Sequence, residues 1–153
     1  MNITCDQDMT LLEQAIKFRK AFGQPINEGF APNGFINQRE FAMQMRLVEE
    51  EVKELEGAAV DLLKAPNDLG LQTAFLKELS DTAFVVYQLA ACYGLDLDTA
   101  MDRVFISNMS KLGDDGVPIY REDGKVLKSE NYQKPRLDDL ITVSHRTYDT
   151  SGK

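Results

Sequence analysis

Phe41-Ala42-Met43-Gln44-Met45-Arg46-Leu47-Val48-Glu49-Glu50-Glu51-Val52-Lys53-Glu54-Leu55-Glu56-Gly57-Ala58-Ala59-Val60-Asp61-Leu62 is the stretch from which the fold of this chain reads. Phe41, Met45, Val48, Val52, Leu55, Ala59 and Leu62 recur at steps of four and three, the seam of a bundle helix. The period predicts a helix over 38–64, closed by Pro66. Glu51 and Glu54 stand at i, i+3 and project from one face of it. Their row, Leu47, Glu51, Glu54 and Ala58, adjoins the apolar seam, so both carboxylates border the core. Glu49 and Glu50 start no such pair, because Val52 and Lys53 lie three residues on.

The next periodic segment repeats the arrangement. Asn67 or Asp68 can cap a helix from about Leu69 to Tyr93, carrying Leu71, Phe75, Leu79, Val85, Val86, Leu89 and Ala90, and Gly94 is placed to stop it. On it Glu78 and Asp81 form a second i, i+3 acidic pair in a row with Ala74 and Val85. Two antiparallel helices joined by a short turn set these rows side by side, so the four acids can converge. Carboxylates gathered at a core edge need a positive partner. Lys53 and Lys77 are candidates, but each lies about 100° around the helix from its neighbouring acid and is expected outside the cluster. A divalent cation is the simplest partner, and hard oxygen ligands favour Mg²⁺, with Mn²⁺ able to substitute. The competing reading is a solvated acidic face.

Outward from this pair, Asp8 to Phe22 reads as a first helix, with Met9, Leu12, Ala15, Ile16 and Phe18 or Arg19 in rough helical period. A long loop rich in Gly and Pro follows to about Asn37, and loops of that length are often functional. A fourth helix is expected from Asp96 or Asp98 through about Leu112, with Asn108 and Lys111 as an amide–cation pair on one face. Val117 to Lys128 suggests a small hairpin turning at Asp123-Gly124, with Lys125, Lys128 and Tyr132 in or after it. Beyond Pro135 the chain is polar. The expected fold is all-α: a four-helix bundle core, a long loop after helix 1 and a small C-terminal hairpin or extension. One domain is expected over 1–137, followed by a polar tail over 138–153.

Bulk composition narrows the function. The chain has 153 residues and a net charge of −8, which argues against a nucleic-acid backbone as partner. A small polyanion remains compatible, because a bound metal inverts the local field. Cys5 and Cys92 read as isolated free thiols, which suits a reducing compartment. The start Met1-Asn2-Ile3-Thr4 lacks the basic and apolar regions of a secretory signal, and no apolar run is long enough to span a bilayer. The expected location is cytoplasmic. The single histidine, His145, lies in the polar tail, so mechanisms that need a buried histidine are disfavoured. No Gly-rich phosphate loop or nucleophile elbow is present.

Glu50-Glu51-Val52-Lys53-Glu54 followed by Glu78-Leu79-Ser80-Asp81 resembles the ExxE…ExxD signature of the all-α nucleoside triphosphate pyrophosphatases, the MazG-like superfamily. Val104-Phe105-Ile106-Ser107-Asn108-Met109-Ser110-Lys111-Leu112, and the run from Asp123-Gly124-Lys125-Val126 to Lys128 and Tyr132-Gln133-Lys134-Pro135, are similar to segments of short bacteriophage and bacterial members. The resemblance spans about residues 8–137. It implies that Glu51, Glu54, Glu78 and Asp81 hold Mg²⁺ and that Asn108 and Lys111 contact the nucleotide, with Lys125 and Lys128 as further phosphate contacts. By position, the loop from Phe30 to Arg39, with Phe35, Asn37 and Gln38, is a candidate base and sugar pocket.

The implied reaction is hydrolysis of a nucleoside triphosphate, expected to be a deoxynucleoside triphosphate, to the monophosphate and pyrophosphate. Glu50 or Glu51 would orient or deprotonate the attacking water. Alternatives are a phosphoribosyl-ATP pyrophosphatase, a dUTP- or dCTP-specific enzyme, or a non-catalytic helical module that binds a nucleotide or a protein. A homodimer or homotetramer is expected, and neither a nucleic acid nor a membrane is an expected partner. If the chain is phage-encoded, the cytoplasm is that of the host.

Overall fold

Side-chain oxygens begin the helices. In the computed structural model, which describes residues 8–142, Thr10 caps α1 (Leu11–Ala21). Its hydroxyl accepts from Glu13 N at 3.2 Å, and Glu13 Oε2 accepts from Thr10 N at 2.8 Å. This reciprocal box explains why the helix begins at Leu11 rather than Asp8. Asn37, Asp68 and Asp96 cap α2 (Gln38–Lys64), α3 (Leu69–Cys92) and α4 (Leu97–Met109), each side chain accepting from the backbone N–H three residues on. The bounds of α2 are those its period predicts. α4 ends at Met109, short of Leu112, because Lys111 N and Leu112 N donate to carbonyls three residues back, Asn108 O and Met109 O, both at 3.2 Å. Ser129 Oγ lies 3.1 Å from Ser110 O and 2.8 Å from Leu112 O. The Ser110 hydroxyl in turn donates to Ser107 O at 2.7 Å and accepts from Gln133 N at 2.8 Å.

The chain forms two compact units, one through Leu95 and one from Asp96. In the first, α3 packs against both α1 and α2. Leu12, Ala15, Ala90, Ala91, Cys92 and Tyr93 are buried there, and so are the polar residues Arg19, Gln44 and Gln88. Arg19 follows Leu12 and Ala15 on the apolar row of α1. It therefore enters the core, while Phe18 stacks on Phe22 and meets Phe84 edge-on. Arg19 Nε donates to Pro25 O at 2.8 Å, and Nη1 lies 3.2 Å from Gln44 Oε1 and 3.4 Å from Gln88 O. Cys92 is a free, buried thiol, and burial pushes its pKa up to about 11.

The α2 seam is less enclosed than its period suggests. Val52 remains 38% exposed, and Leu79 on α3 remains 46% exposed. α1 lies on α3 and leaves α2 with α3 as its main neighbour, so one flank of each seam stays open within the unit.

The loop after α1 is tied down at its centre. Asn27 N donates to Cys92 O at 2.8 Å, Asn27 Nδ2 reaches Glu40 Oε1 at 2.7 Å, and the Phe30 ring stacks on Tyr93. Gly94 makes this approach possible. Its φ is +62°, and a Cβ there would stand 2.7 Å from Asn27 O.

In the second unit α4 leads into turns and then α5 (Asp138–Thr142). The hairpin expected over 117–128 reduces to an isolated antiparallel bridge between Tyr120 and Val126, and no strand forms among the described residues. The Asp123-Gly124 turn is present, with Gly124 N donating to Arg121 O at 2.8 Å. Arg103 forks onto the Asp139 carboxylate, with Nη2–Oδ2 at 2.9 Å, and these hydrogen bonds, then its charge, hold that carboxyl below its ordinary value. The described residues make the chain all-α, with the four long helices that the sequence predicts. No described helix is long and apolar enough to cross a membrane. Cys5, His145 and the tail beyond 142 lie outside the described residues.

Candidate functional site

The turn 65–68 returns the chain from α2 to α3, and Asp68 N donates to Ala65 O at 3.0 Å within it. α3 then packs along α2. Thr82 Oγ1 sets the register at the acidic rows, 2.8 Å from Glu78 O and 3.3 Å from Glu51 O. Carboxylate oxygens of Glu51, Glu54 and Glu78 come within 4.8 Å of one another.

Glu51 is half-buried at the core edge as expected, but Glu54, expected beside it there, is exposed, since α3 covers only one side of α2. Glu51 Oε2 is buried with no hydrogen-bond partner. Burial raises the Glu51 pKa, and the negative charges of Glu54, Asp81 and Glu78 raise it further against the opposing pull of Lys77. An orphaned carboxylate oxygen beside two more acids is a donor set that a hard cation satisfies. Oxygens around Mg²⁺ at about 2.1 Å stand roughly 3–4 Å apart, so the three donors need only small side-chain movements to close on one ion. The residues present fit Mg²⁺ or Mn²⁺.

Asp81 is engaged differently. Lys77 Nζ lies 2.9 Å from Asp81 Oδ2 and 3.0 Å from each Glu78 oxygen. The expectation that Lys77 stands clear of the acids is therefore corrected. Asp81 stands four residues on from Lys77, on the same face of α3, and the flexible stem spans the offset to the adjacent Glu78. These ion pairs hold the Lys77 ammonium well above its ordinary pKa.

Glu50 lies on an exposed position of α2, outside the group of three. Asn37 Oδ1 accepts from Glu40 N at 3.2 Å as the α2 cap, so its side chain already has a structural task. Phe35 is 86% exposed in the loop. In the second unit, Lys111 Nζ donates to Asn108 Oδ1 at 2.7 Å, which keeps that amide–cation pair together beyond the helix end. Lys125 is exposed, and Lys128 Nζ stands 4.2 Å from the centre of the Tyr132 ring.

Two features of the first unit are absent from the sequence reading. The Thr82 hydroxyl contact depends on how α2 and α3 align, and no local pattern signals it. The buried Arg19–Gln44–Gln88 group has one legible trace, a cation on the apolar row of α1.

A protein-family model described as phosphoribosyl-ATP pyrophosphohydrolase matches residues 15–108, more than half of the chain. The matched span contains α2, α3 and all four acids. No curated protein matches.

Proposed function

We propose, from the premise that the chain belongs to the phosphoribosyl-ATP pyrophosphohydrolase family and with it to the MazG-like all-α pyrophosphatases, that it hydrolyses the α–β phosphoanhydride of a nucleoside triphosphate. The family is one of pyrophosphohydrolases, and the substrate we assign is a deoxynucleoside triphosphate. The observation that carries the reading is the meeting of Glu51, Glu54 and Glu78 around a buried, unpartnered Glu51 oxygen within the matched span.

Glu51, Glu54 and Glu78, joined by Asp81, would hold a divalent cation, Mg²⁺ or Mn²⁺. Bound there, the ion supplies neutralising charge for the phosphates and makes water more acidic. Water attacks the α-phosphorus, the bond to the bridging oxygen breaks, and pyrophosphate leaves a nucleoside monophosphate. Glu51 or Glu50 would orient that water or accept its proton, and of the two Glu50 stands exposed. Asn108 and Lys111, with Lys125 and Lys128, supply donors for phosphate oxygens. Phe35 offers a face for stacking a base, and Asn37 stands at the end of the same loop.

A second reading, phosphoribosyl-ATP as the substrate, is favoured by the description of the family itself. Initial rates of pyrophosphate release with Mg²⁺, on each common nucleoside and deoxynucleoside triphosphate and on phosphoribosyl-ATP, separate the two. Fastest turnover of a deoxynucleoside triphosphate supports the first reading, and turnover of phosphoribosyl-ATP alone supports the second. No release from any substrate overturns both in favour of a non-catalytic binding module.

The remaining parts of the reading are a cytoplasmic setting, an origin like that of the short bacteriophage members, and assembly into a homodimer or homotetramer. Leu69, Leu76, Leu79 and Val86 support the assembly. They run along one side of α3 and remain between 38% and 75% exposed.

A further inference from the structure

Lys77 is the cation of the acidic rows. Its ammonium carries three N–H donors, and three carboxylate oxygens of Glu78 and Asp81 stand within 3.0 Å of it. No other lysine or arginine among the described residues forms an ion pair with any of the four acids. The stem is 61% exposed, so the ammonium can swing out without opening the core. It engages the α3 acids, and these are the donors that a cation shared by α2 and α3 has to claim. Asp81 falls outside the group of three carboxylates while it faces Lys77.

We propose that Lys77 is a tethered counter-ion that competes with the divalent cation for Glu78 and Asp81. The proposal rests on the metal reading of the four acids. Loading of the site exchanges one monovalent charge for a divalent one and releases the ammonium to solvent or to an arriving anion. Until then Lys77 offsets the repulsion among acids that the α2–α3 packing forces together. The cost of displacing it weakens metal binding relative to the bare carboxylates.

The test is Mn²⁺ binding to the full chain, followed by the loss of free-ion paramagnetic resonance signal, for the wild type, Lys77→Met and Lys77→Arg. Circular dichroism checks that each variant is folded. Lys77→Met is expected to bind Mn²⁺ roughly three- to ten-fold more tightly, the size that a pair of exposed ion pairs carries. Lys77→Arg, which keeps the charge, stays near the wild type. A residue that only props up the helix would weaken binding when removed. Wild type and Lys77→Met binding Mn²⁺ equally, or Lys77→Met binding it less tightly, overturns the proposal and leaves the metal site standing. Absence of Mn²⁺ binding by every form overturns the metal reading and the proposal with it.

Discussion

Thr82 and Glu51 meet across the α2–α3 interface, with Thr82 Oγ1 3.3 Å from the Glu51 carbonyl oxygen. The same hydroxyl lies 2.8 Å from Glu78 O, so a single proton is shared between the backbones of two acids on different helices. A side-chain bond to the residue four positions back is common in helices. The added contact to Glu51 turns it into a register pin at the level of the carboxylates.

Thr82→Val keeps the shape and removes the hydroxyl. The expected loss is about 0.5–1.5 kcal/mol of folding stability, read by urea denaturation. Loosened alignment of the carboxylates should also appear as weaker Mn²⁺ binding. Unchanged stability and unchanged binding would show that packing alone sets the register.

Glu54→Gln should separate stability from function. It removes one acid from a crowded group and one prospective ligand. Pyrophosphate release is expected to fall at least about 100-fold, while stability in a chelator holds or rises. Retained turnover in this variant would place the reaction elsewhere.

Glu51 gives the pH dependence its sign. Its native pKa is raised above the ordinary 4.5, chiefly by burial. The native state therefore binds this proton more tightly than the unfolded chain does. The ionised group penalises the native state at pH above the raised value, and the penalty fades as pH falls from that value toward 4.5. In a chelator, the stability of the wild type relative to Glu51→Gln should decline as pH rises through this window. A flat difference would contradict the assignment.

Arg19 is 1% exposed and its Nη2 has no hydrogen-bond partner. Arg19→Ala is expected to cost about 3 kcal/mol or more, through a cavity and through the polar groups of Gln44 and Gln88 left unpaired. Arg19→Met fills much of the volume and should cost less. Equal losses in urea melts would assign the effect to hydrogen bonding rather than packing.

The exposed stripe on α3 predicts self-association. Light scattering is expected to report a dimer or tetramer, and Leu76→Glu should shift it toward the monomer, since a charge buried at an apolar contact is costly. A monomeric wild type would remove the proposed assembly.

Most of this was legible because it is local. The step-four and step-three seam sets the bounds of α2, Asp caps mark the starts of α3 and α4, and the i, i+3 spacing singles out Glu51 rather than Glu49 or Glu50. The misreadings have separate causes. Three-residue turns close α4 at Met109, and Lys77 meets Asp81 at i, i+4, a pairing that an angle taken only to the adjacent Glu78 passes over. A run with hairpin chemistry keeps only the Tyr120–Val126 bridge.

By itself the sequence determined that the chain is all-α and that acids stand in pairs along two consecutive helices, because backbone period and side-chain direction are local properties. Only the tertiary structure decided which carboxylates meet across the two helices and that one Glu51 oxygen is buried without a partner. Those outcomes depend on the axial alignment of α2 with α3 and on rotamers chosen by burial and charge, and neither is written in the spacing of residues along one helix.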